Sequence, residues 1–200
     1  MMDIDLSEAL SCQRCPLSQT RKNVVWGEMW TAPWRKHTPG ECLLMAVAEA
    51  PGHIEDLTAR PLVGSAGKIF RRLLLQAGVE VCYLTNRVKC NPPGLGGRGN
   101  RRPSSEEIDS CAPWFQAELD IWQPSVILLM GITAIQPVFQ SKTVGEVIGK
   151  SICRGGRIWV ATYHPSYILH QRGSEIGKRA EQQILADIKY AWWLVQRKES

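Results

Sequence analysis

The stretch CLLMAVAEAPGHIEDLTARPLVGSAGKIFRRLLLQAGV, residues 42–79, decides the fold. It opens with a short apolar run bounded by turn residues, which reads as a strand covered on both faces. Pro51 and Gly52 stop that run. Small residues, Gly64, Ser65, Ala66 and Gly67, then open a helical pattern. Ile69, Phe70, Leu73, Leu74 and Ala77 share one side of it, and Gly78 supplies the stop. Three carboxylates, Glu49, Glu55 and Asp56, flank the turn after the strand, where burying a charge is costly. Their presence there asks for a chemical reason.

The same alternation continues on both sides of this unit. Upstream, Asp5 to Ser11 predicts a short helix, NVVW (residues 23–26) a strand, and MWTAPWRKHTPG (residues 29–40) an inserted loop. Downstream, EVCYLTNRVKC predicts a strand and NPPGLGGRGNRRP a loop. A helix follows from the start signal Ser104–Ser105 before two glutamates. PSVILLMG predicts a buried strand, followed by a helix from about Thr133. RIWVATYHP predicts another strand, and residues 175–196 a long helix with Ile176, Ala180, Ile184, Ile188 and Trp192 at helical spacing. Alternating strands and helices with apolar strands predict an α/β fold: a mostly parallel sheet between two helical layers. Ligands of such sheets sit outside the carboxyl ends of the strands. Those ends carry Glu49, Asn86 and His164.

The chain of 200 residues suits one domain spanning 1–200, with a core of substantial size. Its 24 Lys and Arg exceed its 19 Asp and Glu, a net charge of +5, and Arg98, Arg101 and Arg102 cluster. That balance favours a polyanionic partner such as nucleic acid, although a mild positive charge also serves solubility. No apolar stretch approaches the ~20 residues that span a bilayer, so no membrane partner is expected. The acidic N-terminus MMDIDLSEAL lacks a signal-peptide pattern, which makes the cytoplasm the expected location. A monomer is the expected state. Seven cysteines, an odd number, do not read as a disulfide framework.

Cys42, Cys82 and Cys153 lie in or beside apolar segments and are expected to be small buried hydrophobes. Cys12 and Cys15 form C-x-x-C, while Cys90 and Cys111 stand apart. Four such thiolates suit a structural zinc or an iron–sulfur cluster, and spacing alone leaves the metal open. A thioredoxin-type redox pair is a weaker reading, because the C-x-x-C does not follow a strand in a strand–helix unit.

Taken together, the motifs resemble those of family 4 uracil-DNA glycosylases. AEAPGHIEDLTARPLVGSAG is similar to that family's GE-x-PG-x-x-ED-x-x-G-x-PFVG-x-AG. TNRVKCNPP resembles its TN-x-VKC-x-PP, and HPSYIL its late HPS motif. The family's four cluster cysteines match Cys12, Cys15, Cys90 and Cys111 in order. The resemblance implies a four-stranded parallel sheet between helices and a 4Fe-4S cluster of structural role. It also implies excision of a base, most simply uracil, from DNA in base-excision repair. Some positions depart from the family pattern. Leu62 replaces the phenylalanine that stacks on the flipped base, Ala59 and Ala48 replace glycines, and the Cys90–Cys111 loop is longer. That loop has no histidine, so the covalent trapping of one superfamily branch is not expected.

A glycosylase flips a base out of the duplex and then stabilises an anionic leaving base and a cationic sugar. His164 can donate to the departing base oxygen. Asn86 can read a pyrimidine's polar edge. On the resemblance, Glu55 stands near the water and sugar. Glu49 holds the turn through backbone N–H groups, with a catalytic share open to it. Leu62, Pro51 and Gly52 are expected to bound the base. Ser65 and Lys68, at a helix N-terminus, are expected DNA contacts, as are Arg101, Arg102, Ser166, Tyr167 and Arg172. The glycine-rich turn is no Walker loop, since Lys68 is followed by Ile69. Leu62 removes a flat stacking surface, for which Trp30 and Trp34 are candidate replacements. Two alternatives follow: a pocket for a modified base, such as a modified cytosine in phage DNA, acting in defence, or a non-catalytic iron–sulfur DNA-binding module.

Overall fold

A computed structural model describes residues 6–35, 44–97 and 99–198. Arg98 and Cys42, and the second half of the segment read as an insert, lie outside the described residues. Six strands form one sheet: β1 Glu28–Thr31, β2 Leu44–Ala48, β3 Val81–Asn86, β4 Val126–Met130, β5 Ser151–Arg154 and β6 Arg157–Thr162. Their order is β1-β3-β2-β4-β6-β5. The inner four strands are parallel, as expected, and each edge strand pairs antiparallel to its neighbour. The helices are α1 Leu6–Leu10, α2 His53–Thr58, α3 Ser65–Gln76, α4 Ser105–Trp122, α5 Ile132–Phe139, α6 Ser166–His170 and α7 Glu175–Lys198.

The strand pleat sends alternate side chains to opposite faces, and each face finds its own helices. Leu44, Ala46, Leu84 and Leu128 pack with Phe70, Leu73 and Leu74 of α3 and with Ala180, Ile184 and Ile188 of α7. Met45, Val47, Tyr83, Ile127 and Leu129 pack on the other face with Phe115 and Leu119 of α4 and Ile135 of α5. A third, smaller cluster joins Ala9, Leu17, Val24 and Val88 to Cys90, Cys111 and Trp114.

Several local expectations are corrected. NVVW is not a strand: Val24 and Val25 are buried, but Val25 N–H finds a single backbone partner, Lys89 O, at 2.7 Å. The strand lies just beyond, overlapping the start of the segment read as an insert, because Glu28–Thr31 can complete the open edge of β3. β5 escaped notice although its turn carries a signal, Gly155–Gly156, both at positive φ, between paired Arg154 and Arg157. The buried stripe of α7 begins at Ala180 and continues to Val195, leaving Ile176 53% exposed. Cys153 is exposed rather than core, whereas Cys82 is buried.

Ala59, at one of the departures from the family pattern, closes α2 in the left-handed region at φ 54°. A Cβ is disfavoured there by about 1–2 kcal/mol. Because Ala59 is exposed, Ala59→Gly removes little packing. The substitution is expected to raise stability by about 1 kcal/mol in urea unfolding. An unchanged or lower midpoint would contradict this.

Candidate active site

The carboxyl ends of the inner strands open onto a cavity of about 940 Å³. Glu49 follows β2, Asn86 ends β3, Gly131 and Ile132 follow β4, and His164 follows β6; all line it. Gly52, Glu55, Leu62, Ser65, Arg101, Arg102, Ser166 and Tyr167 line it as well. Residues far apart in the chain are thus gathered at one wall. Pro51 is buried behind the lining, its carbonyl held by the amides of Asn91 and Asn100 at 2.8 and 3.0 Å. Lys68 and Arg172 are exposed and stand outside the lining, and His53 is exposed on it.

Each acid of the opening stretch has a distinct set of partners. Glu55 Oε1 accepts the backbone N–H groups of Val63 and Gly64 at 3.1 and 2.7 Å. Asp56 accepts those of Lys22 and Asn23, tying α2 to the segment that follows the C-x-x-C. The Glu49 carboxylate accepts no backbone N–H among the described residues; the Thr133 hydroxyl donates to it, and Arg102 Nε lies 3.9 Å away. The brace of the turn is therefore Glu55 and not Glu49. The reason is reach: α2 carries Glu55 across to the N-terminus of α3, while Glu49 stays at the strand end beside α5. Gly67 completes this wall by close approach, since a Cβ there would sit 2.0 Å from the Leu62 carbonyl carbon.

Asn86 is buried, and its Nδ2 has no hydrogen-bond partner among the described residues. Its backbone carbonyl accepts from Lys89 Nζ at 2.7 Å. Lys89 also meets Glu118 Oε2 at 2.6 Å and Thr85 Oγ1 at 2.8 Å, with both members of the ion pair buried. Glu118 is satisfied further by Gly27 N–H and Tyr83 Oη. Sequence reasoning missed this pair; the signal was a lysine inside an apolar strand segment, which requires a buried partner.

His164 Nδ1 accepts the Ser166 N–H at 3.2 Å and stands 2.7 Å from Ser166 Oγ. An Nδ1 that accepts a backbone N–H is unprotonated, so the neutral ring carries its proton on Nε2. Burial, with the nearby charge of His170, pushes the imidazole down to about 4. An unfolded chain takes up that proton near pH 6.5. Stability is therefore full above that value and falls as pH drops toward the folded value. By pH 5 the wild type is expected to lose about 2 kcal/mol relative to pH 7 that His164→Gln does not lose. Parallel pH dependence of the two in denaturant unfolding would refute it.

The expected aromatic replacements do not reach the cavity. Trp30 is buried in the core from β1, and Trp34 is 63% exposed. Tyr163 and Tyr167 line the cavity instead, their ring centroids 5.1 Å apart. Arg101 spends its guanidinium on Glu107, the N3 partner of Ser104 in the capping box of α4, while Arg102 stays exposed.

Cys12, Cys15, Cys90 and Cys111 line one small cavity beneath the third apolar cluster. Trp114 Nε1–H donates to Cys12 Sγ and Lys89 N–H to Cys111 Sγ, both at 3.2 Å. Burial raises the thiols of Cys15 and Cys111 and pushes Cys90 up to about 12. Among the described residues, no group of three or more His, Cys, Asp or Glu side chains is placed to hold a single metal ion.

A profile of the uracil DNA glycosylase superfamily matches residues 36–189. The chain belongs to the uracil DNA glycosylase superfamily. A type-4 uracil-DNA glycosylase of Thermotoga maritima is 35% identical over 196 residues, covering 96% of this chain and 93% of the relative. The type-4 enzyme of Pyrobaculum aerophilum is 35% identical over 176 residues, covering 80% and 81%. That of Archaeoglobus fulgidus is 33% identical over 181 residues, covering 85% and 84%. These uracil-DNA glycosylases are hydrolases acting on N-glycosyl bonds. Among the described residues of this member, no helix is long and apolar enough to cross a membrane.

Proposed function

We propose that this protein excises uracil from DNA, seating the flipped base in the strand-end cavity and hydrolysing its N-glycosidic bond. The observation that carries the reading is the Nδ2 of Asn86, buried in the cavity wall and without a partner among the described residues. A buried donor left unpaired costs about 1–3 kcal/mol. A pyrimidine carbonyl entering the cavity removes that cost. The names of the relatives, type-4 uracil-DNA glycosylases, point to the same base.

The division of labour differs from the one read in the motif. His164, neutral at pH 7, donates through Nε2 to the oxygen on which the departing base gathers charge. Glu49, held by Thr133, orients the attacking water and faces the oxocarbenium-like sugar. Glu55 acts through the wall that it braces. Tyr163 and Tyr167 supply an aromatic surface that Leu62 does not. Arg102 and Ser65 are the foremost candidates for contacting DNA phosphates.

Cys12, Cys15, Cys90 and Cys111 would hold a four-iron four-sulfur cluster. Their common cavity and the two N–H···S bonds support this assignment, since such bonds favour thiolate over thiol. The cluster would supply a cross-link between the N-terminal segment, the end of the β3 segment and α4.

The deciding experiment is an alkaline strand-nicking assay on duplexes carrying uracil, hypoxanthine or substituted cytosines. Uracil release is expected, reduced about 10²-fold or more in Asn86→Ala. Release of a substituted cytosine without uracil would replace this reading with a modified-base pocket, which Leu62 in place of an aromatic favours. Release of no base, with DNA still bound, would leave a binding module.

A further inference from the structure

We propose that the groove between α4 and α5 docks an acidic, apolar-anchored peptide segment of a partner protein. The groove is a second cavity, of about 540 Å³, on the face of the sheet covered by these two helices. It is separate from the base cavity: Ile132 at the start of α5 lines one, and Ala134 further along lines the other.

Three arginines converge on it from different elements. Arg87 follows β3, Arg154 ends β5 and Arg157 opens β6. None forms an ion pair among the described residues. Arg157 Nη2 donates to Leu119 O at 3.2 Å, and Arg154 Nη1 to Val138 O at 3.3 Å. Arg87 lies over the Phe115 ring, 4.9 Å from its centroid, and its Nε is buried without a hydrogen-bond partner among the described residues. Asp109 is the one carboxylate in the lining. A solvated basic face keeps its donors in water. Here a guanidinium nitrogen has left water without gaining a partner, which marks the place of a missing acceptor.

The walls select among anionic partners. Phe115, Leu119, Val138 and Trp159 give the groove an apolar floor, and the Trp159 indole N–H is already spent on Arg154 O at 2.9 Å. A duplex offers phosphates but no apolar group to fill such a floor. A peptide with acidic residues beside one large apolar side chain offers both. The charge complementarity therefore favours a protein partner at this site.

The test uses the full chain and a fluorescein-labelled peptide of four aspartates followed by phenylalanine, read by anisotropy at low salt. Binding is expected with Kd on the order of 100 µM. The pair Arg154→Ser and Arg157→Ser should weaken it about tenfold or more with base release unchanged. Asp109→Asn, an exposed change on α4, should tighten it by about twofold. A peptide ending in serine should bind far less. Wild-type affinity in the arginine variant, or no tightening in Asp109→Asn should the former fail to fold, overturns the proposal. Displacement of the peptide by a uracil-free duplex, or by sodium phosphate at equal charge, also overturns it, assigning the groove to nucleic acid or to simple anions.

Discussion

His164→Ala is expected to slow base release by about 10²–10³-fold while leaving DNA binding nearly unchanged. Among the described residues the ring is held at Nδ1 by Ser166, which on the proposed reading leaves the Nε2 donor to serve the base. On that reading the donor is in place before the reaction begins, and the charge it meets exists only as the bond breaks. The loss should therefore fall on the single-turnover rate and not on the affinity for uracil-containing duplex. His164→Gln, which keeps an amide donor, should recover part of the rate. A His164→Ala enzyme with the wild-type rate would remove His164 from the chemistry.

Lys89→Met is expected to destabilise the fold by about 3–5 kcal/mol, because it strands the Glu118 carboxylate in the core. Lys89 is 1% exposed and Glu118 fully buried, so water cannot replace the lost partner. Replacing both, Lys89→Met with Glu118→Leu, should restore a substantial part of the stability, since the penalty belongs to the unpaired charge. The double variant should still release uracil more slowly, because the Asn86 carbonyl loses its contact with Lys89. Equal destabilisation of single and double variants in denaturant unfolding would refute this account.

The inner sheet was legible because burial on both faces imposes a local pattern. Leu44–Ala48, Val81–Asn86 and Val126–Met130 are fully buried, and each reads as an apolar run. The edges were not, because a four-residue strand with one buried side, such as Glu28–Thr31, resembles a loop. The positions of Glu49, Asn86 and His164 at strand ends were legible together with the fold, and all three line one cavity. Their hydrogen-bond partners were not. Arg101 and Glu107 are near in sequence, yet a basic loop gave no sign that its arginine was already paired. Trp30 and Trp34 lie in one segment, and only the pairing of β1 with β3 sends the first into the core.

The sequence by itself determined the order of the four inner strands and the long helices between them, the turn at Pro51–Gly52 and the residues that arrive at the strand ends. Those are consequences of periodicity and backbone preference, which act over a few residues. Only the tertiary structure decided that Glu55 braces a turn while Glu49 is left at the cavity. It likewise decided that Lys89 meets Glu118 beneath Asn86, and that Arg87, Arg154 and Arg157 share a groove. A charge in low dielectric is defined by its partners, and those partners come from segments that folding alone brings together.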